Sequence, residues 1–370
     1  MFFAKVVTFV IAAFLIIGAI ASASHRPVAD KSGVLHVKKL NEKYEGMEHA
    51  IRSMVMDPAS LKAHDKAERA KAKQKAKQEK KLAKNKQKKT TGQSAANASD
   101  ADDAQQSSPA EQEAEADAKT VYVIDFDGDM KASAVEHLRE EITAVLTMAK
   151  PTDEVVVKLE SPGGMVHAYG LAASQLARFK RANVPLTVCV DQVAASGGYM
   201  MACIADKLLA APFAVIGSIG VVASIPNFNK VLKKHDVDYE LLTAGEYKRT
   251  LTMLGENTDE GRKKFVSDLE DTHELFKEFV NEFRPQLDIA AVATGETWYG
   301  KKALEKSLID EISTSDEYLT SLAATAPVYQ LKYVEKKHWQ EKLGMAAQAA
   351  IGNSLDKMAS MLTSSWNTRH

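Results

Sequence analysis

From Val121 onward, apolar residues alternate between short strand-length runs and longer stretches in which they recur every three to four positions. Val121 to Phe126 (VYVIDF) predicts a strand ending at the turn Asp127-Gly128-Asp129. Ala134 to Met148 then places Val135, Leu138, Ile142, Val145 and Leu146 on one helical face. Glu154 to Leu159 (EVVVKL) reads as a buried strand, followed at once by Glu160-Ser161-Pro162-Gly163-Gly164, and Val166 to Arg181 reads as a helix. Leu186 to Val190 (LTVCV) predicts another strand; the run after it, DQVAASGGYMMACIA, is too long for a further one, so Ser196 falls at a strand-to-helix corner. Strand candidates follow at Leu208 to Pro212 and Tyr239 to Thr243, and the glycines of Ile216 to Val222 suggest close backbone approach. The spacing of Asn257-Thr258-Asp259-Glu260 resembles a capping box and starts a helix to about Phe283, with Phe265, Leu269, Phe276 and Val280 inward. Alternating strands and helices predict an α/β class with largely parallel strands. In such sheets ligands gather at the carboxyl ends of strands, where the Ser161–Gly164 loop and the Ser196 corner both fall.

The pattern changes outside this region. Val6 to Ser24 is a 19-residue uncharged run between Lys5 and His25-Arg26, long enough to span a bilayer. Ala21-Ser22-Ala23 has the form of a cleavage site, so a removed signal peptide competes with a retained anchor; the length of the run favours the anchor. The denser Lys and Arg after the span favour a cytoplasmic C-terminal side. His36 to Met56 carries Val37, Leu40, Tyr44, Met47, Ile51 and Val55 at helical spacing, which suggests packing on a partner or the membrane surface. Trp339, Leu343, Ala347, Ile351, Leu355, Met358, Leu362 and Trp366 form a second helical stripe near the C-terminus, expected to meet a neighbour or the membrane. The resulting division is an anchor (1–25), a juxtamembrane helical segment (26–61), a charged linker (62–119), a globular unit (120–330) and a C-terminal amphipathic segment (331–370).

The net charge of −1 hides opposite blocks: 13 basic against three acidic residues in Lys62 to Lys89, then seven acidic and no basic residues in Thr90 to Ala118. Neither block can bury a core, and they read as a spacer, the first as a solvated charged helix or a patch for anionic lipid and the second as disordered. The lysines lack interleaved aromatics, which speaks against nucleic acid as a partner. Cys189 and Cys203 lack a CxxC spacing, and no HExxH or GxxxxGK[ST] pattern occurs, so the sequence points to no metal and no nucleotide cofactor.

A serine at a corner flanked by Ala194, Ala195, Gly197 and Gly198 suits a nucleophile, and equally a helix N-cap. As its base, His167, His235 and His273 are poorly placed candidates for a triad. Lys248, beside Tyr247 and Arg249, is another, and a lysine serves as a base only when desolvation or neighbouring positive charge makes it neutral.

From about Val121 to Val328 the sequence resembles the protease IV, or signal peptide peptidase A, family of membrane-bound serine peptidases, most closely its SohB branch. The resemblance is carried by Glu160-Ser161-Pro162-Gly163-Gly164, Val193-Ala194-Ala195-Ser196-Gly197-Gly198-Tyr199, Ile216-Gly217-Ser218-Ile219-Gly220-Val221 and Gly245-Glu246-Tyr247-Lys248, in that order. It implies Ser196 as nucleophile and Lys248, 52 positions later, as general base, with an oxyanion hole from the N–H groups of Gly163 or Gly164 and of Gly197. It also implies a ClpP/crotonase-like spiral of ββα units, a homo-oligomeric ring, no cofactor, and a single-pass protein of the bacterial inner membrane, its face left open. The expected substrates are signal-peptide remnants or other extended apolar peptides. Arg249 stands where a smaller residue is frequent, and Ser307 where a glycine is usual. A non-hydrolytic ring-forming scaffold of the same fold is the alternative, and an acyl-CoA enzyme a third reading.

Overall fold

The computed structural model describes residues 33–64, a few positions between 66 and 77, and 119–335. The apolar run at 6–24, nearly all of the charged linker and the C-terminal stripe lie outside the described residues. Among the described residues no helix is long and apolar enough to cross a membrane.

The described residues divide into two units, one within 37–332 and a second holding 33–36 with 333–335. In the second unit, the Gly33 N–H donates to the Tyr333 hydroxyl at 2.6 Å. The elements in chain order are β1 (Gly33–Lys39), α1 (Leu40–Val55), β2 (Val121–Asp127), α2 (Val135–Leu146), β3 (Glu154–Glu160), α3 (Val166–Arg181), β4 (Leu186–Val190), β5 (Val193–Ala195), α4 (Gly197–Ala202), β6 (Lys207–Ala210), β7 (Val215–Gly217), α5 (Asn229–Lys234), α6 (Asp259–Phe283), α7 (Ile289–Val292), β8 (Thr297–Tyr299), α8 (Gly300–Glu305), β9 (Glu311–Ile312), α9 (Ser315–Ala323) and β10 (Val328–Glu335). The large sheet has the order β1-β10-β2-β3-β4-β6-β9 and is parallel from β10 to β9. A small sheet, β5-β7-β8, is parallel across its first pair and antiparallel across its second. Central strands β3 and β4 are buried on both faces, so their apolar residues run without alternation. The inward faces of α2 (Leu138, Ile142, Val145) and α3 (Tyr169, Ala172, Ala173, Leu176) are buried.

Several expectations change in detail. Gly33–Lys39 forms an edge strand, so the helix starts only at Leu40. Leu40 joins the core cluster of Val121, Val123 and Val328, and Asn41 donates to the Ala323 and Ala326 carbonyls while its Oδ1 accepts the Val328 N–H. These contacts seat the start of α1 on the globular unit, whereas Met47, Ile51, Met54 and Val55 stay exposed. At the other end β10 continues to Glu335, past the boundary drawn at 330; Val328 to Leu331 pair with β2, and β1 lies on its other side. Tyr239–Thr243 forms no strand and is exposed. Thr258 rather than Asn257 caps α6, accepting the Gly261 N–H at 3.1 Å, while Asn257 Oδ1 accepts the Thr252 N–H. Of the four residues expected inward on α6, Phe276 and Val280 are buried and Phe265 and Leu269 half-buried.

Beneath α4 a buried arginine pairs with a partly exposed aspartate. Arg284, 2% exposed, holds Asp310 with both terminal nitrogens at 2.7 and 3.1 Å and also donates to the Ser307 carbonyl. Burial opposes the Asp310 charge, but the Arg284 and Leu208 N–H hydrogen bonds outweigh it and hold its pKa below the ordinary aspartate value. The Tyr199 hydroxyl donates to the Leu308 carbonyl at 2.9 Å, tying α4 to the same loop. Ser307 has a φ of 60°, which accounts for the expectation of glycine there. Cys189 and Cys203 are free and buried, and burial pushes both thiols up to about 12.

Candidate active site

The Ser196 corner is held by backbone. Ser161, at the end of β3, makes a parallel bridge with Ala194: its N–H donates to the Val193 carbonyl at 2.8 Å and its carbonyl accepts the Ala195 N–H at 3.0 Å. The Ser196 N–H then donates to the Gly217 carbonyl at 2.8 Å. Between these fixed points Ser196 takes φ 52° and ψ −119°, a conformation that L-residues adopt at a cost of about 1–3 kcal/mol. A strained serine between a strand and a helix is a known way to expose a nucleophilic hydroxyl. The side chain makes no cap hydrogen bond to α4, so the N-cap reading of Ser196 does not hold.

The Glu160 carboxylate braces the same corner. Oε1 accepts the Asp191 and Gln192 N–H groups at 3.2 and 3.0 Å, and Oε2 accepts that of Val193 at 3.0 Å. Burial raises the Glu160 pKa above the ordinary glutamate value, more than these N–H groups lower it. Asp191 in turn accepts the Ser315 N–H and hydroxyl at 2.7 and 2.5 Å, linking the corner to α9.

The glycine loop lies directly on the nucleophile. A Cβ on Gly163 would come within 2.7 Å of the Ala195 carbonyl oxygen and the Gly197 nitrogen and 2.8 Å of Ser196 Cβ; Gly163 also has a φ of 88°. A Cβ on Gly164 would come within 2.1 Å of the Met130 carbonyl oxygen. The Gly163 N–H donates to Ser161 Oγ at 3.1 Å. Gly197 begins α4, where N–H groups have no carbonyl of their own helix to meet.

Ser196, Gly164 and Gly197 line one cavity of about 350 Å³ whose remaining wall is mostly apolar, with Val166, Met200, Val221, Leu275, Phe276 and Phe279. The structure thus brings together the predicted nucleophile and all three candidate oxyanion glycines. Lys248 does not line this cavity; it is exposed on the stretch 221–258, whose one described helix is α5. None of the three histidines lines it either: His167 and His235 are exposed, and His273 Nε2 lies 3.2 Å from the Ile219 carbonyl oxygen. Among the described residues, no group of three His, Cys, Asp or Glu side chains could hold a metal ion.

The sequence reading missed the roles of Glu160 and Tyr169. Glu160 was visible as part of the loop, but nothing in a linear pattern brings its carboxylate to 191–193. Tyr169 shows the apolar spacing of the inward face of α3, which signals burial and conceals the use of its hydroxyl.

Comparison with known proteins assigns the chain to a family. The sequence matches Peptidase family S49 N-terminal over residues 1–176 and Peptidase family S49 over residues 178–329. It is 56% identical over 237 residues to "Probable protease SohB" of Haemophilus influenzae, covering 64% of this chain and 67% of that protein. It is 52% identical over 240 residues to "Probable protease SohB" of Buchnera aphidicola subsp. Acyrthosiphon pisum, covering 65% and 71%. A more distant similarity, 26% over 165 residues, reaches "Protease 4" of Haemophilus influenzae across 44% of this chain and 27% of that protein. With a hydroxyl held at a strained corner over an apolar cavity, and with these relatives, the chain belongs to peptidase family S49, in its SohB-like branch.

Proposed function

We propose that this protein is a membrane-anchored serine endopeptidase in which Ser196 is the nucleophile and Lys248 the general base. The observation that carries the reading is the Ser196 corner itself, a strained hydroxyl between a glycine loop and a helix start, opening into an apolar cavity. Ser196 Oγ attacks the scissile carbonyl as Lys248 takes its proton; the same proton passes to the leaving amine, and water then hydrolyses the acyl-enzyme with Lys248 again as base. The developing oxyanion is held by the Gly197 N–H and a glycine-loop N–H. Gly164 suits the second place, since it lines the cavity while the Gly163 N–H is given to Ser161.

The apolar wall suits an aliphatic or aromatic side chain next to the cleaved bond, in keeping with extended apolar peptides such as signal-peptide remnants. The bilayer contact rests on the apolar run at 6–24, and the ClpP/crotonase-like spiral on the family resemblance. In a single chain Lys248 is exposed, and a lysine acts as a base only where cover or neighbouring positive charge disfavours the charged form. We infer that a ring of copies supplies the missing cover, with a neighbour packed on stretch 221–258. That stretch exposes Val222 and Leu242, each 90% accessible, as well as Phe228, Val231 and Tyr247. The same exposure of Lys248 is what favours the second reading, a scaffold that keeps the fold without hydrolysis.

A serine-reactive fluorophosphonate on the detergent-purified protein distinguishes the two. The peptidase is labelled at Ser196 and loses casein cleavage in Ser196→Ala; labelling elsewhere, or undiminished cleavage by that variant, refutes the assignment. Lys248→Arg should be inactive yet assembled, because a guanidinium cannot give up its proton. Mixing Ser196→Ala with Lys248→Ala subunits restores activity if the pair forms between copies.

A further inference from the structure

Tyr169 takes no part in the serine–lysine chemistry, yet it is wholly buried against both sides of the Ser196 corner. Its hydroxyl lies 2.7 Å from the Asp129 carbonyl oxygen and 2.5 Å from Ser161 Oγ. A carbonyl carries no proton, so the phenol donates to Asp129 and accepts from Ser161. Ser161 Oγ accepts the Gly163 N–H in turn. The direction of every proton is therefore set: Gly163 N–H to Ser161, Ser161 O–H to Tyr169, Tyr169 O–H to the Asp129 carbonyl. Ser161 is as fully buried as Tyr169, and buried polar groups are costly to leave unpaired, so the chain resists rearrangement.

The ring of Tyr169 makes the second contact. A Cβ on Gly197 would come within 2.4 Å of Tyr169 Cγ and 2.7 Å of its Cβ and Cδ2, so the base of the ring lies against Gly197 at the start of α4. Space for the hydroxyl is left by Gly128, where a Cβ would stand 2.5 Å from Ser161 Oγ and 2.6 Å from Tyr169 Oη. One side chain thus touches both backbone stretches that bear the oxyanion donors, the glycine loop through Ser161 and Gly197 through its ring. An oxyanion hole works only if both donors reach hydrogen-bond distance of one oxygen, and errors well under 1 Å weaken it.

We propose that Tyr169 is a positioning residue of the peptidase reaction, fixing the spacing between the glycine-loop peptides and the Gly197 N–H. The proposal rests on the Ser196 reading above. Gly128 and Ser161 then belong to the same support, one by giving room and the other by relaying the hydrogen bond.

The test uses the full-length enzyme, with active sites counted by fluorophosphonate. Tyr169→Phe keeps the ring and removes the hydroxyl. Per active site, kcat should fall about 10- to 100-fold with little change in KM. Affinity for a peptide aldehyde, whose adduct places an oxyanion in the same hole, should weaken by the same factor as kcat. Ser161→Ala interrupts the same chain, and the Ser161→Ala/Tyr169→Phe double variant should be no slower than the worse single one. If Tyr169→Phe does not fold, Ser161→Ala alone gives the kcat and aldehyde readings. A purely structural role would lower the unfolding midpoint and leave kcat per active site and aldehyde affinity at wild-type values; that result overturns the proposal, as does additivity in the double variant. An active Ser196→Ala enzyme would overturn both this proposal and the peptidase assignment. Wild-type kcat in Tyr169→Phe beside an inactive Ser196→Ala overturns this one alone.

Discussion

Residues 160–220 and residues 221–258 are adjacent in sequence and opposite in construction. In the first stretch nearly every described strand is buried, a serine is held at positive φ, and glycines meet backbone at distances no side chain would tolerate. In the second, side chains from Val222 to Leu254 are largely exposed, and Gly245, at a φ of 99°, has only Lys248 Cβ near it, at 4.0 Å. One half of the proposed chemistry is thus preorganised by the chain's own fold, and the other is presented on a surface whose apolar residues lack cover. On the proposed reading, fixed geometry and exclusion of water are supplied separately, the first by backbone packing and the second by a neighbouring copy.

Matched substitutions test this contrast. The largest effect is expected from Gly163→Ala, whose Cβ would collide with the Ala195 carbonyl, Gly197 nitrogen and Ser196 Cβ; turnover should fall at least about 100-fold. Gly245→Ala meets only Lys248 Cβ, at an ordinary 4.0 Å, and should cost only the strain of its positive φ, about 1 kcal/mol. Urea unfolding and casein turnover of the two variants, side by side, check the prediction; equal losses in both would erase the distinction.

Arg284→Met tests the support beneath α4. It removes the Arg284 hydrogen bonds to a partly exposed Asp310 and should lower stability by about 1.5–3 kcal/mol, read from the urea midpoint. A loss below about 1 kcal/mol would show that the pair does not secure this part of the core.

A smaller effect is expected from acid. Burial opposes the charge on Glu154, but hydrogen bonds from Lys119, Thr187 and Tyr318 outweigh it, so its folded pKa, like that of Asp310, lies below the ordinary value. The unfolded chain therefore takes up these protons more readily. The stabilisation is complete above the unfolded carboxylate pKa of about 4 and is lost as pH falls through the folded values. Glu160 has the opposite sign, since its folded pKa is raised; its contribution is whole below the unfolded value and is lost as pH rises through the folded one. Unfolding midpoints from pH 7 to 3 should decline in the wild type and decline less in Asp310→Asn; curves of equal slope would contradict the assignment. Smallest of all, Ser307→Gly relieves a φ of 60° and should gain about 0.5–1 kcal/mol.

Much of this was legible in the sequence because the residues concerned act locally. LTVCV became β4 and Val166–Arg181 became α3 with the predicted bounds, since a buried run and a helical repeat each report a single element. Ser196 could be picked out because small residues at a strand end leave a compositional trace, whereas Gly163, Gly164 and Gly197 were named through the family resemblance. Strands of two or three residues, β5, β8 and β9, are too short for any period to show. Glu160 and Tyr169 were hidden for another reason: the Glu160 partners are 31 to 33 positions away and the Asp129 carbonyl that Tyr169 meets is 40 away, and the parallel pairing of β2, β3 and β4 with the Ser161–Ala194 bridge brings them into reach. The misassigned strand at Tyr239–Thr243 has apolar residues but pairs with no strand among the described residues.

The two buried cysteines have a practical consequence. Thiolate is the reactive form, and with both thiols pushed up to about 12 almost none exists near neutral pH; neither sulfur is open to solvent. These are the two cysteines of the sequence, so the native protein is a silent background for maleimides and disulfide-forming oxidants. A cysteine introduced on the exposed 221–258 stretch would then be the one reactive sulfur per subunit. Cross-linking or spin-label distances taken there would report on neighbouring copies without first removing any natural residue.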